Sequence, residues 1–520
     1  MSNNVAPPMA EVSSPALLLT VFVAAVCGLV YELIAGTLSS YLLGDSVTQF
    51  SLVIGMFLTS MGIGAYLSKF IEELLLERLI LIEMAVGCIG GLAAGLGFAA
   101  FAYTEAYGMV LTSLVITIGI LVGMEIPLVI RILRNTVGLE ITLAHVMSLD
   151  YVGALLASLV FPFVILPQLG LVRGSFLMGF LNIGIALYLI RSVKGPLTGR
   201  RKLTSLAFGL LFLMSVGFLG SSQATLHFED QLYQDDIIFA RNTGSQRMIV
   251  TRWRDDIRLY LNGHLQFSSV DEYRYHETLV HPAMAAAPNR SRVLILGGGD
   301  GMAAREVLRY PDVTQLDLVD LDPEVTAAFR DNPMFSELNN GSLSDPRIRI
   351  YNEDAMKFMG QTSELYDVIL MDLPDPSDAN LGKLYSRPFF ELVGRHLTPT
   401  GRLAAQCTSP FRSRAAFWSI VTTLEAARFG SPEQPRQLIA RPYHTVVPSF
   451  GTWGFVVASM QPIDVSELEV HPSARYLTSE LLPSLFTFPN DMKRIPTPVS
   501  SLDNPVVVNL YRDGYNQYFD

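Results

Sequence analysis

Long apolar runs fill the first two-fifths of the chain, and short alternating ones fill the rest. Seven apolar segments, near 15–36, 46–67, 79–102, 107–130, 143–168, 171–191 and 203–221, each reach the ~20 residues that cross a bilayer. They predict a multi-span α-helical membrane domain over 1–222. From about residue 224 the pattern changes. Residues 237–267 alternate in short strands, with turns at 242–244 and 262–263, predicting a small β-strand unit over 223–291. Over 292–460, VLILG, LDLVDLD, RIRIYNED, YDVILMDL and GRLAAQ alternate with helical stretches. That order predicts a mostly parallel sheet with helices on both faces. The tail, 461–520, reads as a helix over 471–492 followed by a Pro-rich end.

Composition sharpens the division. Half of the 520 residues are hydrophobic and only 16% are charged, where a soluble protein carries roughly a quarter. The first apolar run lacks a basic leader and is followed by further spans, so it reads as a membrane helix rather than a cleaved signal. Basic residues gather in the second, fourth and sixth connections, which predicts a cytoplasmic N-terminus in a multi-pass cell (inner) membrane protein with the lipid bilayer as partner. An odd number of crossings would put the C-terminal part outside. Either one segment does not fully cross, or the C-terminal domain faces away from the cytosol. Glu32, Glu83, Glu125 and Asp150 lie within spans, where carboxyls face a bundle interior or a polar cavity; they serve either helix–helix hydrogen bonding or a path for a cationic solute. A formal net charge of −11 argues against a nucleic-acid partner and suits cationic small molecules. Cys27, Cys88 and Cys407 form neither a disulfide nor a metal pattern, and no His/Cys ligand cluster is visible.

Val293–Tyr310, VLILGGGDGMAAREVLRY, carries the first chemistry. A buried strand, a Gly-rich turn and a helix start are the opening of a doubly wound, Rossmann-like unit, whose glycines let the backbone approach a ligand. Asp300 inside that turn would repel a phosphate and suit a cation. Ligands of such sheets sit at the carboxyl ends of the strands, and acids stand at four of those ends in succession: Asp300, Asp320, Asp354, and then Asp372 with Asp375. A single Asp there is most often a turn former or helix cap. Four in sequence describe an acidic crevice for a nucleoside bearing a positive arm: Asp320 on ribose, Asp354 on the adenine amino group, Asp300 and Asp372 around a cationic chain.

In order along 230–460, YQD (Tyr233–Asp235), LNGHLQ (Leu261–Gln266), DEYRYHE (Asp271–Glu277), GGGDG (Gly297–Gly301), VDLDPEV (Val319–Val325), NEDA (Asn352–Ala355) and DLPDP (Asp372–Pro376) make this part resemble the spermidine synthases, the polyamine aminopropyltransferases. With apolar spans ahead of it, the chain is similar to the membrane-fused bacterial branch of that family. The resemblance implies a class I methyltransferase-type α/β fold and aminopropyl transfer from decarboxylated S-adenosylmethionine, as co-substrate rather than tightly bound cofactor, to putrescine or a related polyamine. No metal is required. By that match Gln234, Asp320, Asp354 and Ala355 would hold the nucleoside and Asp300 the aminopropyl ammonium. His276, Tyr275 and Gln266 would line the acceptor channel. Asp372 would be the general base and Asp375 the anchor of the acceptor amine. Soluble relatives are usually oligomers, so a homo-oligomer is a family expectation.

The chain departs from the family at Asp320 (commonly Glu), at Leu373-Pro374, at Asp378-Ala379, and at Val447, where many members carry an acceptor-side tyrosine. The donor half therefore matches better than the acceptor half. An S-adenosylmethionine-dependent methyltransferase shares the fold, although Asp300 opposes the carboxylate of its cofactor. A non-catalytic polyamine sensor or transporter is the reading from a different class.

Overall fold

The structure, a computed structural model, describes residues 12–517 apart from 44, 45, 105, 138, 234, 244 and 432. The chain divides into two compact units, Met1–Ile237 and Ile238–Asp520.

The first unit is helical: α1 (Ser14–Leu43), α2 (Ser46–Leu67), α3 (Leu75–Tyr103), α4 (Tyr107–Val137), α5 (Leu139–Val160), α6 (Leu166–Ser192) and α7 (Arg200–Leu232). Among the described residues, six continuous helical runs are long and apolar enough to cross a membrane. One of these, Leu139–Ser192, has 54 residues. At 1.5 Å per residue it would be about 80 Å long if straight, against a hydrocarbon layer of about 30 Å. It is not straight. α5 passes into a wider turn at Phe161–Ile165, and Gly170, at φ 71° and ψ −176°, breaks the rod. Small residues set the packing, as membrane interfaces require where no water drives association: a Cβ on Gly64 would meet the Ile120 carbonyl at 2.0 Å, and one on Gly123 the Met61 carbonyl at 2.1 Å. Of the acids within spans, Glu83 is fully buried and accepts from Asn182 Nδ2 at 2.9 Å, a hydrogen bond from α6 to α3. Glu83, Glu125 and Asp150 also line a cavity of about 20 Å³, which is water-sized.

The second unit opens with a four-stranded sheet, β1 (Asp236–Asn242), β2 (Arg247–Trp253), β3 (Asp256–Leu261) and β4 (His264–Ser268), in that order. It then differs from the expected β-unit. Residues 272–286 are a helix, α8 (Glu272–Ala286), because their apolar positions recur at helical spacing: Tyr275, Leu279, Val280, Ala283 and Met284 are all buried. Pro282 removes the amide that would bond the Thr278 carbonyl, and the Tyr443 hydroxyl donates to that carbonyl instead, at 2.9 Å.

A seven-stranded sheet follows, built from β5 (Arg292–Gly297), β6 (Gln315–Val319), β7 (Ile348–Tyr351), β8 (Tyr366–Asp372) and β9 (Leu397–Gln406). After a short antiparallel pair, β10 (Phe429–Ser431) and β11 (Gln434–Arg436), it is completed by β12 (Ile439–Val447) and β13 (Gly451–Ser459). The order is β12-β13-β9-β8-β5-β6-β7, parallel from β7 to β9, with β13 antiparallel to both its neighbours. The chain runs outward from β5 to β7 and then returns to β8 on the other side of β5. The β5/β8 boundary is therefore the switch point at which such sheets bind ligands.

The tail does not form the helix expected over 471–492; apart from a short 3₁₀ turn at Leu482–Phe486 it is irregular. Its amides are spent elsewhere. The buried Glu277 carboxylate accepts from the backbone N–H groups of Arg475, Tyr476 and Leu477 at 2.6, 2.8 and 2.9 Å, and Pro472, Pro483 and Pro489 carry no amide to give. Farther on, Trp418 Nε1 donates to the Met492 carbonyl at 3.0 Å and the Ser500 amide donates to Thr423 Oγ1 at 2.9 Å. The chain ends in a helix, Val506–Asn516, with Val507 and Val508 buried.

Candidate active site

Gly297 and Asp372 are register partners at the carboxyl ends of β5 and β8. The approach is close: a Cβ on Gly297 would stand 2.0 Å from the Asp372 carbonyl, and the backbone there has φ 86°. Only glycine meets both conditions. The turn then brings Gly299 so near Asp320 that a Cβ would sit 2.7 Å from its carboxyl group. Asp320 accepts from the Gly299 amide at 3.0 Å and from the Asp322 amide at 2.9 Å. Burial nevertheless holds its pKa up at about 6, against those two donors. Asp300 accepts from the Met302 amide at 2.9 Å. Burial lifts it to about 6 as well, with the His276 charge pulling it down and the Asp372 charge pushing it up.

Helix α8 delivers the other side. Tyr275 Oη donates to Asp372 Oδ1 at 2.8 Å, and His276 Nε2 stands 3.9 Å from Asp372 Oδ2. His276 Nδ1 lies 2.7 Å from Glu272 Oε2, one helical turn earlier, and that oxygen also accepts from Arg305 at 2.9 Å. Burial alone would lower the His276 pKa; the hydrogen bond and charge of Glu272 overcome it, and the charges of Asp372 and Asp300 add to a value of about 9. Glu272, though buried, is pulled to about 2 by His276 and Arg305. The result is an imidazolium between two carboxylates. Burial pushes Asp372 above the usual carboxylate range, and the imidazolium and the Tyr275 hydroxyl limit the rise. The cluster thus holds a carboxylate more basic than an ordinary one, beside an imidazolium and a phenol, as a general base requires.

Asp375 lies three residues farther along the same segment. Thr408 Oγ1 donates to its Oδ2 at 3.3 Å, while Oδ1 is sealed from solvent with no hydrogen-bond partner among the described residues. Burial raises its pKa to about 7, opposed by the side chains of Tyr511, Gln406 and Thr408. Tyr385 Oη donates to the Pro374 carbonyl at 2.8 Å and fixes the turn between the two acids.

Asp354 caps the helix Ala355–Gln361, accepting from the Lys357 amide at 3.0 Å, and pairs with Lys383 Nζ at 2.6 Å. Burial would raise its pKa, but Lys383 and the cap amides take it below the usual range. Ala355 is buried at the first turn of that helix. Gln266 donates to the His264 carbonyl of its own strand at 3.0 Å. Gln234 lies outside the described residues. Among the described residues no group of His, Cys, Asp and Glu is arranged to hold a metal ion. Glu272 was missed: its four-residue spacing from His276 in DEYRYHE is a signal only if that segment is a helix; Lys383, Gln406, Thr408 and Tyr511 carried no local signal.

Fold and site together define a transferase of the doubly wound, nucleoside-binding class. Residues 272–467 match the spermine/spermidine synthase domain. A polyamine aminopropyltransferase of Leptospira interrogans is 43% identical over 97% of this chain and 99% of its own length. Polyamine aminopropyltransferase 2 of Ralstonia nicotianae is 41% identical over 96% of this chain and 98% of its own. A solved spermidine synthase in complex with the transition state analogue AdoDATO aligns with 49% of this chain and 86% of its own, at 26% identity and a TM-score of 0.44. The chain belongs to the polyamine aminopropyltransferase family, and aminopropyl transfer is its reaction class.

Proposed function

We propose that the protein transfers the aminopropyl group of decarboxylated S-adenosylmethionine to putrescine or a closely related diamine, with Asp372 as the general base. The observation that carries this reading is the setting of Asp372 at the β5/β8 switch point, between Tyr275 at 2.8 Å and His276 at 3.9 Å. An alkylammonium has a pKa of about 10 and must lose a proton before it attacks. Asp372 takes that proton. The free amine then attacks the propyl carbon next to the sulfonium, a C–N bond forms, the C–S bond breaks, and methylthioadenosine leaves with the electron pair on neutral sulfur. General-base assistance of this kind is worth roughly 10²–10⁴-fold, and holding both substrates in one crevice adds several kcal/mol.

Asp300 selects the donor. Its carboxylate attracts an aminopropyl ammonium and repels the carboxylate that ordinary S-adenosylmethionine carries on the same arm. Asp320 would bind the ribose hydroxyls, and Asp354 would reach the adenine amino group beside its Lys383 partner. By the family match Ala355 and Gln234 would also contact the donor. Tyr275, His276 and Asp375 would line the acceptor side, with Gln266 at its outer edge. The donor is a co-substrate, exchanged at every turnover.

The helical unit would anchor the enzyme in the cell membrane. An even number of crossings would return the catalytic unit to the side of the N-terminus and of the cytosolic donor. A topology reporter fused after Asp520 tests this.

Incubating the purified protein with labelled decarboxylated S-adenosylmethionine and a panel of diamines tests the chemistry. Methylthioadenosine release together with an aminopropylated diamine is expected. Turnover with ordinary S-adenosylmethionine alone would make the protein a methyltransferase, and binding without product would make it a sensor.

A further inference from the structure

The C-terminal helix Val506–Asn516 lies beyond the matched synthase domain, which ends at residue 467. It is nonetheless built into the site. Gly514 packs so closely on Ser413 that a Cβ would stand 2.6 Å from the Ser413 hydroxyl, and that hydroxyl donates to the Leu510 carbonyl at 3.1 Å. On the next turn, a Cβ on Gly382 would meet Val508 at 2.5 Å, so the helix is also fitted against the segment that follows DLPDP. These contacts aim Tyr511 and Tyr515, whose rings lie 4.6 Å apart, toward Asp375. Tyr511 biases the Asp375 carboxyl toward its ionised form, and Tyr515 interacts with the Thr408 hydroxyl that donates to the same carboxyl.

The chemistry at Asp375 is incomplete. Its Oδ1 is buried and has no hydrogen-bond partner among the described residues, although the Tyr511 and Thr408 side chains act on the carboxyl. An unpaired buried carboxylate oxygen is costly. Hydroxyl groups around it can accept from, as well as donate to, whatever approaches. A primary ammonium supplies three donors and one positive charge, which is what one open carboxylate oxygen and adjacent hydroxyl oxygens can bind together.

We propose that the C-terminal helix forms the far wall of the acceptor pocket, and that Tyr511 acts with Asp375 to hold the remote ammonium of a linear primary diamine, setting the acceptor length the enzyme accepts. This rests on the aminopropyl-transfer reading above and adds a residue from outside the synthase domain. Tyr511 is a positioning residue: it does not touch the reacting nitrogen. Because Asp375 Oδ1 is sealed under this wall, the Tyr511–Tyr515 ring pair must yield as the diamine enters.

The test is steady-state kinetics of the full-length protein and its Tyr511→Phe variant with decarboxylated S-adenosylmethionine and diamines of three, four and five carbons, alongside calorimetric binding of the same diamines. Losing one hydroxyl beside a charged group should raise KM for the preferred diamine by about tenfold. The KM of the donor should stay within twofold, and discrimination between the three chain lengths should shrink. Tyr515→Phe should raise the acceptor KM less. An acceptor KM within twofold of wild type with unchanged length preference overturns the proposal, as does a parallel rise of donor and acceptor KM. Wild-type protein that binds diamines without releasing methylthioadenosine overturns the catalytic reading instead, and the calorimetric ratio of Tyr511→Phe to wild type then decides the role of the wall.

Discussion

Replacing Glu272 by Gln removes the charge that keeps His276 an imidazolium while preserving the side chain's shape. Glu272 Oε2 is 2.7 Å from His276 Nδ1, and His276 Nε2 is 3.9 Å from Asp372 Oδ2. The rise of the His276 pKa from 6.5 to about 9 is worth roughly 3 kcal/mol. Without Glu272 the burial of His276 dominates and the ring becomes neutral at pH 7. Asp372 then loses its nearest positive charge. At that separation and an effective dielectric of about 20, the attraction is ~4 kcal/mol; a third of it corresponds to about one pH unit. The sign is fixed: the Asp372 pKa rises further, so the base is ionised only at higher pH. The assay is methylthioadenosine release from pH 5.5 to 9.5. The acidic limb of kcat/KM should move up by about one unit in Glu272→Gln, with the plateau at high pH largely retained. Arg305 also loses a partner at 2.9 Å, so the melting temperature should fall, which separates the fold from the profile. A limb that stays within 0.3 units on the order of assay error, while the variant remains folded, would refute the charge relay from Glu272 through His276 to Asp372.

Other consequences follow from the same geometry. Asp372→Asn should cut kcat by roughly 10²–10⁴ with little change in donor KM, read by single-turnover kinetics; activity near wild type would remove Asp372 as the base. Gly299→Ala would drive a methyl group into the Asp320 carboxyl at 2.7 Å, so donor affinity should drop by about tenfold or more in calorimetry while diamine affinity holds. Asp375 has a folded pKa of about 7, above the unfolded value. Its protonated form is therefore favoured on folding, and stability is lost as pH climbs from about 4 to 7. Asp375→Asn should then raise the melting temperature at pH 8, by an amount equivalent to about 1 kcal/mol or more, and leave it nearly unchanged at pH 4.

Much of the catalytic unit was legible because its signals are local. In VLILGGGDG, VDLDPEV and YDVILMDL the apolar run fixes the strand and the acid follows at its end, so Asp300, Asp320 and Asp372 reach the carboxyl edge of one sheet by chain order alone. Asp354 was legible as an acid at a strand end but not as the helix cap and Lys383 partner it is. DEYRYHE was assigned to a β-unit; it opens a helix that is buried on every side from Tyr275 to Met284, so no solvent face marks it as helical in the sequence. The tail was read as a helix because its composition permits one, whereas Glu277 captures three of its amides.

The sequence by itself determined the two-part plan, the doubly wound sheet and the acidity of the crevice, since apolar periodicity and strand-end positions depend only on near neighbours along the chain. Only the tertiary structure decided which groups share a charge. Tyr275 and Asp372 are 97 positions apart in sequence, and Tyr511 comes to Asp375 from the far end of the chain. Electrostatic coupling falls with distance through space and not along the backbone, so the imidazolium between two carboxylates, the raised pKa of Asp372 and the helix over Asp375 exist only once α8, β8 and the last helix are packed together.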